Sequence, residues 1–395
     1  MKKVLYLSID GLLEPLGESQ VLKYCFGISK HYKVIIFSLE KSSDLNDLTR
    51  LKLLEKTIDD HGISWYKGKY NNLSNFFSNP INLLKSLFII LKILFVEREI
   101  HFIHLRGYVL GPIVLILRRF LRIRILFDMR GFWPDEKVDR ASWGNNSLNY
   151  ILYKFIERRL FIESKAIVSL THEGVERFKK FSYLKSRKLY THVIPTCTDL
   201  ELFRPASNEK IELVNFVHLG SVDTAYNILP ILNFFKFFSG IADSKLTFVN
   251  RDNHDFLKRE LKRLNIEEPK YAIVTSKFSD TPSFLKKGRI GLFNAKINFS
   301  IKASFPTKIG EFLASGLPII CNDFNKDVTN LIKINNIGLI LDFDDNKKYM
   351  EYTKLVHQLL SDKNIQERCR EVAKNKFSLE AGIRSYLKVY KSLEK

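Results

Sequence analysis

Cysteine is scarce: Cys25, Cys197, Cys321 and Cys369 are the only four in 395 residues, far apart and without a Cys-x-x-Cys pair. That argues against a structural zinc site and a disulfide framework, and fits a reducing cytoplasm. Long uncharged apolar runs are missing too. A spanning helix needs ~20 such residues, whereas the longest stretches, 83–96 and 107–117, are interrupted by Lys85 and Lys92 or closed by Arg118 and Arg119. The opening MKKVLYLSIDG is basic and then apolar, but Asp10 cuts the run and no small-residue cleavage site follows. It reads as a first β-strand, not a signal peptide. The nine histidines carry no metal pattern. His101 and His104 lie three apart in a segment read as a strand, which turns them to opposite faces as packing or surface residues. No Gly-x-Gly-x-x-Gly occurs, so ordinary dinucleotide binding is not expected.

What is present points to a folded, basic protein. Hydrophobic residues make up 45% and aromatic residues 13%, enough for buried cores. The length suits two domains. Against 43 acidic residues stand 63 Lys and Arg, a net charge of +20. Such an excess admits nucleic acid, an anionic membrane surface or a phosphorylated small substrate as partner.

Short apolar runs alternate with longer amphipathic ones. Residues 4–9, 33–37, 102–105, 123–127 and 166–170 read as strands, and 19–31, 45–60, 80–99 and 148–163 as helices. After a polar, proline-bounded connection at 193–205 the alternation restarts, with strands at 214–219, 245–249, 271–274, 290–294 and 318–322 and helices at 227–239, 256–264 and 307–315. This predicts two α/β domains with parallel sheets, joined near residue 200. Ligands of such sheets sit beyond the carboxyl ends of the strands, so a cleft between two such edges is the expected site.

The most informative segment is 304–323. Pro306 and Thr307 predict a helix start with Thr307 as cap, and Gly316 a left-handed stop. Lys308 and Glu311, three apart, share a face. A lysine and free backbone N–H groups at a helix N-terminus suit a diphosphate, and a nearby carboxylate suits ribose hydroxyls. By residue chemistry alone, this reading stands level with an ordinary surface pair on a connecting helix.

The string PTKIGEFLASGLPII, after NFSIKAS, resembles the nucleotide-binding signature of GT-B glycosyltransferases of family 4. Three further segments are similar to that family in the expected order: VIPTCTDLELFRP to its interdomain connection, FVHLGSVDTAYNI to the start of its second domain, and LEPLGESQVLKY to its loop into the first helix. The resemblance implies two Rossmann-like domains facing each other across a cleft, a nucleotide-diphosphate sugar as donor, and transfer with retention, without metal or other cofactor. It divides the chain into an acceptor-side domain 1–197, a nucleotide-sugar domain 198–376, and a C-terminal helix 377–395 packing back on the first domain. Position by position, Glu311 matches the second glutamate of the family's E-x7-E motif and would hold the ribose. The first glutamate falls on Ala303, leaving Lys302 or Ser304 to contact the sugar. A lysine usual after the glycine turn is absent from VDTAYN (222–227). Arg251, Lys302 and above all Lys308 remain as cations for the diphosphate, with Thr307 and Gly17 also on the donor side.

The segment FDMRGFWPDEKVD (127–139) gathers Asp128, Arg130, Asp135, Glu136 and Asp139 with Phe132 and Trp133 at a strand end. Aromatic rings that stack on a sugar and carboxylates that bind its hydroxyls suit an acceptor site, while a loop anchored by buried rings is the plainer account. Asp128, Arg130 and Lys308 are the expected catalytic residues, with Trp133, Asp135, Glu136 and His172 on the acceptor side. At 169–181, Thr171 reads as an N-cap and Glu173 as a first-turn acid.

Basic residues concentrate in 80–130, with nine Lys or Arg against Glu97, Glu99 and Asp128, interleaved with Leu, Ile and Phe. That mixture suits a helix lying on an anionic bilayer, while for residues 85–96 taken alone a buried amphipathic helix with a solvated basic rim is the plainer account. No base-reading motif accompanies it, so nucleic acid is not expected. The sequence therefore predicts a cytoplasmic glycosyltransferase, peripheral on the inner membrane face, acting on a glycan or lipid-linked acceptor. A nucleotide-sugar epimerase or hydrolase of the same fold, or a catalytically weak nucleotide-binding subunit, remain as alternatives.

Overall fold

A computed structural model describes residues 1–70, 80–206 and 213–394. Lys395, the last residue of the predicted segment 377–395, lies outside that set. The chain divides into two compact units, Met1–Pro195 together with Leu379–Lys395, and Thr196–Ser378.

The first unit is built on a seven-stranded sheet in the order β3-β2-β1-β4-β5-β6-β7. Its strands are β1 (Lys3–Ser8), β2 (Lys33–Lys41), β3 (Ser64–Tyr70), β4 (Ile100–Arg106), β5 (Arg124–Asp128), β6 (Ala166–Ser169) and β7 (Thr191–Val193). All pairings are parallel. Central strands covered on both faces need apolar middles, which is why β1, β5 and β6 carry the apolar runs 4–7, 125–127 and 166–168. Among the connecting helices are α1 (Pro80–Glu97), α2 (Gly111–Phe120), α3 (Trp133–Asp139) and α4 (Leu148–Glu163). The C-terminal helix Leu379–Leu393 buries Tyr386 and Tyr390 in the first unit's core.

The second unit carries six parallel strands in the order β10-β9-β8-β11-β12-β13. These are β8 (Val214–Leu219), β9 (Ser244–Val249), β10 (Tyr271–Val274), β11 (Ile290–Phe293), β12 (Ile319–Cys321) and β13 (Gly338–Ile340). A phenylalanine-rich core formed by Phe216, Phe234, Phe235, Phe238 and Phe248 fills one side. Helix α5 (Thr307–Ala314) runs from the loop after β11 to β12. All four cysteines are buried as free thiols.

The predicted strand–helix alternation is present in both units, with local corrections. The helix expected over 80–99 stops at Glu97, because Arg98 and Glu99 have positive φ. Segment 133–139 is a helix begun by Trp133 and Pro134, not a loop. Thr307 does not cap α5: the N-cap position is Pro306, without a side-chain bond. The predicted stop is present, since Gly316 has φ +79° and the N–H groups of Gly316 and Leu317 donate back to Leu313 and Phe312. Thr171 caps as expected, its Oγ1 accepting from Gly174 N–H at 3.0 Å.

Candidate active site

In the first unit, a network of buried polar groups forms where β4 and β5 end. Arg106 and Asp128 are register partners there. Asp128 is fully buried. Its Oδ2 accepts from Tyr386 Oη at 2.8 Å, with His104 Nε2 at 3.4 Å and the guanidinium groups of Arg106 and Arg130 at 3.8 and 3.9 Å. His104 Nδ1 meets Tyr390 Oη at 2.7 Å, and Arg106 Nε donates to Asp10 Oδ2 at 2.9 Å. Burial would push the Asp128 carboxyl up; Arg130, the His104 hydrogen bond and Arg106 outweigh it and hold it at about 2. Burial lowers the His104 pKa against the pull of Asp128, so the imidazole is neutral and donates from Nε2. A carboxylate so strongly ionised and shut away is a poor proton acceptor. Asp128 instead orients its neighbours, and partly exposed Arg130, held at φ +57° before Gly131, carries the charge outward.

The charged residues of 127–139 do not form one cluster. Asp135 accepts from Tyr150 Oη and Lys154 Nζ, both at 3.0 Å, and Glu136 pairs with Arg140 at 2.6 Å. Phe132 is fully buried, and Trp133 meets Trp143 and Tyr153 edge-on at 5.1 and 4.9 Å. The rings thus serve packing inside the unit. His172 is exposed at the first position of the helix His172–Lys179. Gly17 has a packing reason: a Cβ there would lie 1.8 Å from the Gly11 carbonyl oxygen. The preceding loop is held by buried Glu40, which accepts from Leu12 and Leu13 N–H at 2.8 and 3.3 Å.

In the second unit, the first turn of α5 places Lys308 under the glycine turn that follows β8. Lys308 is buried, and among the described residues its Nζ has no hydrogen-bond partner. The ammonium lies 3.6 Å from the centroid of the Tyr226 ring and 5.3 Å from that of Phe293. A Cβ on Gly220, where φ is +93°, would come within 3.6 Å of it. Burial lowers the Lys308 pKa to about 7 despite Glu311, and burial raises that of Glu311 to about 7 despite Lys308. The ring faces supply partial compensation, but an ammonium normally takes three acceptors. The pocket is thus electrically unfinished, and an anion at Gly220 would complete it.

Around this point the other residues expected on the donor side have separate positions. Lys302 Nζ donates to the Phe324 carbonyl at 2.7 Å, and Arg251 Nε to that of Ser276 at 3.1 Å. Ser304 Oγ is 3.4 Å from the Ser300 carbonyl, and Thr307 is half-buried at the start of α5. Ala303 is buried. The loop that carries them is clamped by Asn325, whose side-chain amide donates to the carbonyls of Ile301, Lys302 and Ser304 at 3.0–3.2 Å while its oxygen caps the next helix. Sequence reasoning missed Asn325, Tyr226, His104, Arg106, Glu40 and the two helix tyrosines. An Asn before a helical run is a readable cap signal; nothing in the sequence announces the others.

No protein-family model and no curated protein matches this sequence. Solved structures do. Sucrose-phosphate synthase from Thermosynechococcus elongatus aligns over 100% of this chain and 99% of its own, with TM-score 0.74 and 13% identity. HepE of Anabaena, solved with UDP and glucose, aligns over 99% and 100% with TM-score 0.69 and 11% identity. The lipopolysaccharide outer core galactosyltransferase WaaB aligns over 99% of each chain with TM-score 0.64 and 10% identity. The fold is GT-B. Two Rossmann-like units with seven and six parallel strands match it along the whole chain. Among the described residues no helix is long and apolar enough to cross a membrane.

Proposed function

We propose that this protein is a glycosyltransferase of the family 4 type, which moves a sugar from a nucleotide-diphosphate sugar to a glycan or lipid-linked acceptor with retention. The observation that carries the reading is Lys308, a buried ammonium that has no hydrogen-bond acceptor among the described residues, beside the Gly220 turn and one helical turn before Glu311. A diphosphate supplies the missing acceptors, and the charge that grows on it as the glycosidic bond breaks is met by Lys308 and the N–H groups that open α5. Glu311 takes the ribose hydroxyls; Lys302, Ser304, Thr307 and Arg251 line the donor side. Neither metal nor resident cofactor enters this scheme. Arg130, set by Asp128, faces the acceptor side with Trp133, Asp135, Glu136 and His172. The setting is surface polysaccharide or lipopolysaccharide synthesis in the cytoplasm, peripheral on the inner membrane face. Among structures of the same fold, HepE is solved with UDP and glucose and WaaB is a lipopolysaccharide outer core galactosyltransferase, which supports this choice.

The test separates the two donor contacts. Lys308→Ala is expected to weaken nucleoside diphosphate and inorganic pyrophosphate alike, by roughly 10–100-fold for a lost charge-assisted contact. Glu311→Gln is expected to weaken the nucleoside diphosphate but leave pyrophosphate unchanged. If no nucleotide sugar in a broad panel binds or is consumed, the donor assignment falls. The anomeric configuration of the product, read by NMR, decides retention. A nucleotide-binding subunit without transfer is the second reading, favoured by Ala303 where the motif's first glutamate would stand; tight donor binding with no transfer to any acceptor would establish it.

A further inference from the structure

Four crossovers in the first unit, β3 to β4, β4 to β5, β5 to β6 and β6 to β7, step in the same direction along the sheet, whereas β1 to β2 and β2 to β3 step the other way. Right-handed crossovers therefore place α1, α2 and α4 together on one face. The outer surface of that layer should be polar, because its inner surface already packs on the sheet. It is the reverse. Along α1, Leu84, Phe88, Leu91 and Phe95 recur at spacings of four, three and four and are exposed. Along α4, Leu148, Ile151, Leu152 and Phe155, at spacings of three, one and three, are exposed as well, while the opposite side of that helix buries Tyr153, Ile156 and Leu160. Phe120, at the end of α2, is 80% exposed and Leu148 86%.

Between α2 and α4 the surface sinks into a groove of about 800 Å³. Ile116, Phe120 and Phe155 form its apolar wall, and Arg118, Arg119, Arg122 and Arg159 stand around it, with Glu163 the one carboxylate among the described residues that line it. Glu163 is shared by Arg118 and Arg159, which leaves the charge of Arg119 and Arg122 outward. We infer that this helical layer is a membrane-docking face, which inserts its aromatic and aliphatic side chains among the acyl chains of an anionic bilayer and sets its arginines at the headgroups. Large apolar side chains over a cationic rim, on helices too short or too charged to span, are the composition of an interfacial surface. Charge selects this occupant over a second copy of the chain: a symmetric dimer through the same face would set Arg119 and Arg122 against their own images.

The inference gives a place to the membrane association in the proposed function, and its test needs no sugar donor, so either can fail alone. The full-length protein is floated with vesicles of equal parts phosphatidylglycerol and phosphatidylcholine, and with vesicles of phosphatidylcholine only. Binding is expected to the first, weakly to the second, and to fall with added salt. The double substitution Arg119→Gln and Arg122→Gln should lower partitioning by roughly 25-fold, about fivefold per arginine. Phe120→Ser with Phe155→Ser should abolish it. All four side chains are solvent-exposed, so an unchanged melting temperature verifies that the fold is intact. Equal binding to both vesicle types, or anionic-vesicle binding untouched by both double substitutions, would overturn the inference. So would a stable dimer in sedimentation that Phe120→Ser dissolves.

Discussion

Lys308 is the residue at which function and stability pull apart. Its pKa falls from an ordinary 10.5 to about 7 on burial, so between those values the unfolded chain binds the extra proton. Stability therefore rises with pH across that window on account of Lys308. Glu311 acts oppositely: its pKa is raised to about 7, so its contribution falls as pH climbs from 4.5 to about 7. The unliganded second unit is least well served near neutrality. Lys308→Met is expected to raise its melting temperature at pH 7 by roughly 2–4 °C, the equivalent of about 1 kcal/mol, while nucleoside diphosphate binding is lost. A variant that melts lower and still binds would contradict the role given to this side chain. Because a bound diphosphate restores the charge, binding above pH 7 takes up a proton, and affinity should drop as pH rises from about 7 toward 10.5. Calorimetry in buffers of different ionisation enthalpy measures that proton directly. Asp128 gives the opposite signature in the first unit. Its pKa is depressed, so its stabilisation is complete above 3.8 and disappears as pH falls toward about 2. Asp128→Asn leaves Arg106 and Arg130 poorly balanced and should cost about 3–5 kcal/mol in urea denaturation at neutral pH, with the acid limb of the stability profile flattened.

At the scale of single elements, the Asn325 clamp is the easiest to break. Asn325→Ala removes an N-cap and three bonds to the loop 301–304, so a loss of roughly 2–4 kcal/mol is expected. Donor affinity should fall with it, although Asn325 need not touch the ligand. A stability loss with unchanged affinity would show that the loop holds its shape without the clamp. How the elements were written in the sequence follows the same physics. Buried central strands such as β1 and β5 are unmistakable, because both faces need apolar residues. Edge strands are not: β3 reads Ser-Trp-Tyr-Lys-Gly-Lys-Tyr, and β7 and β13 have three residues each, since one side of each meets no neighbour. Helix α5 was legible because Lys308, Glu311 and Gly316 are close in sequence. The strand-end network was not. Asp128 meets Tyr386 across 258 positions and His104 meets Tyr390 across 286, and no local pattern marks such pairs. Trp133, Asp135 and Glu136, neighbours in sequence, reach different partners: Trp133 the rings of Trp143 and Tyr153, Asp135 the side chains of Tyr150 and Lys154, and Glu136 that of Arg140.

For the molecule as a whole, the two units differ in how the chain supplies them. The second is continuous, from Thr196 to Ser378, whereas the first needs residues 1–195 and the segment from Leu379 onward. A fragment of residues 196–378 is expected to fold cooperatively and to bind nucleoside diphosphate with the affinity of the full chain, as read by thermal shift and calorimetry. Residues 1–195 alone should expose the apolar bed of Tyr386 and Tyr390 and aggregate, and adding the 379–395 peptide should rescue them. A soluble, cooperatively melting 1–195 fragment would argue that the C-terminal helix only covers a finished core.

That helix also imposes a schedule. A ribosome adding about 5–20 residues per second needs roughly 10–40 s to travel from Pro195 to Leu379. Throughout that interval the emerging N-terminal sheet lacks the helix that covers its His104–Asp128 end, so the part of the chain synthesised first is the part completed last.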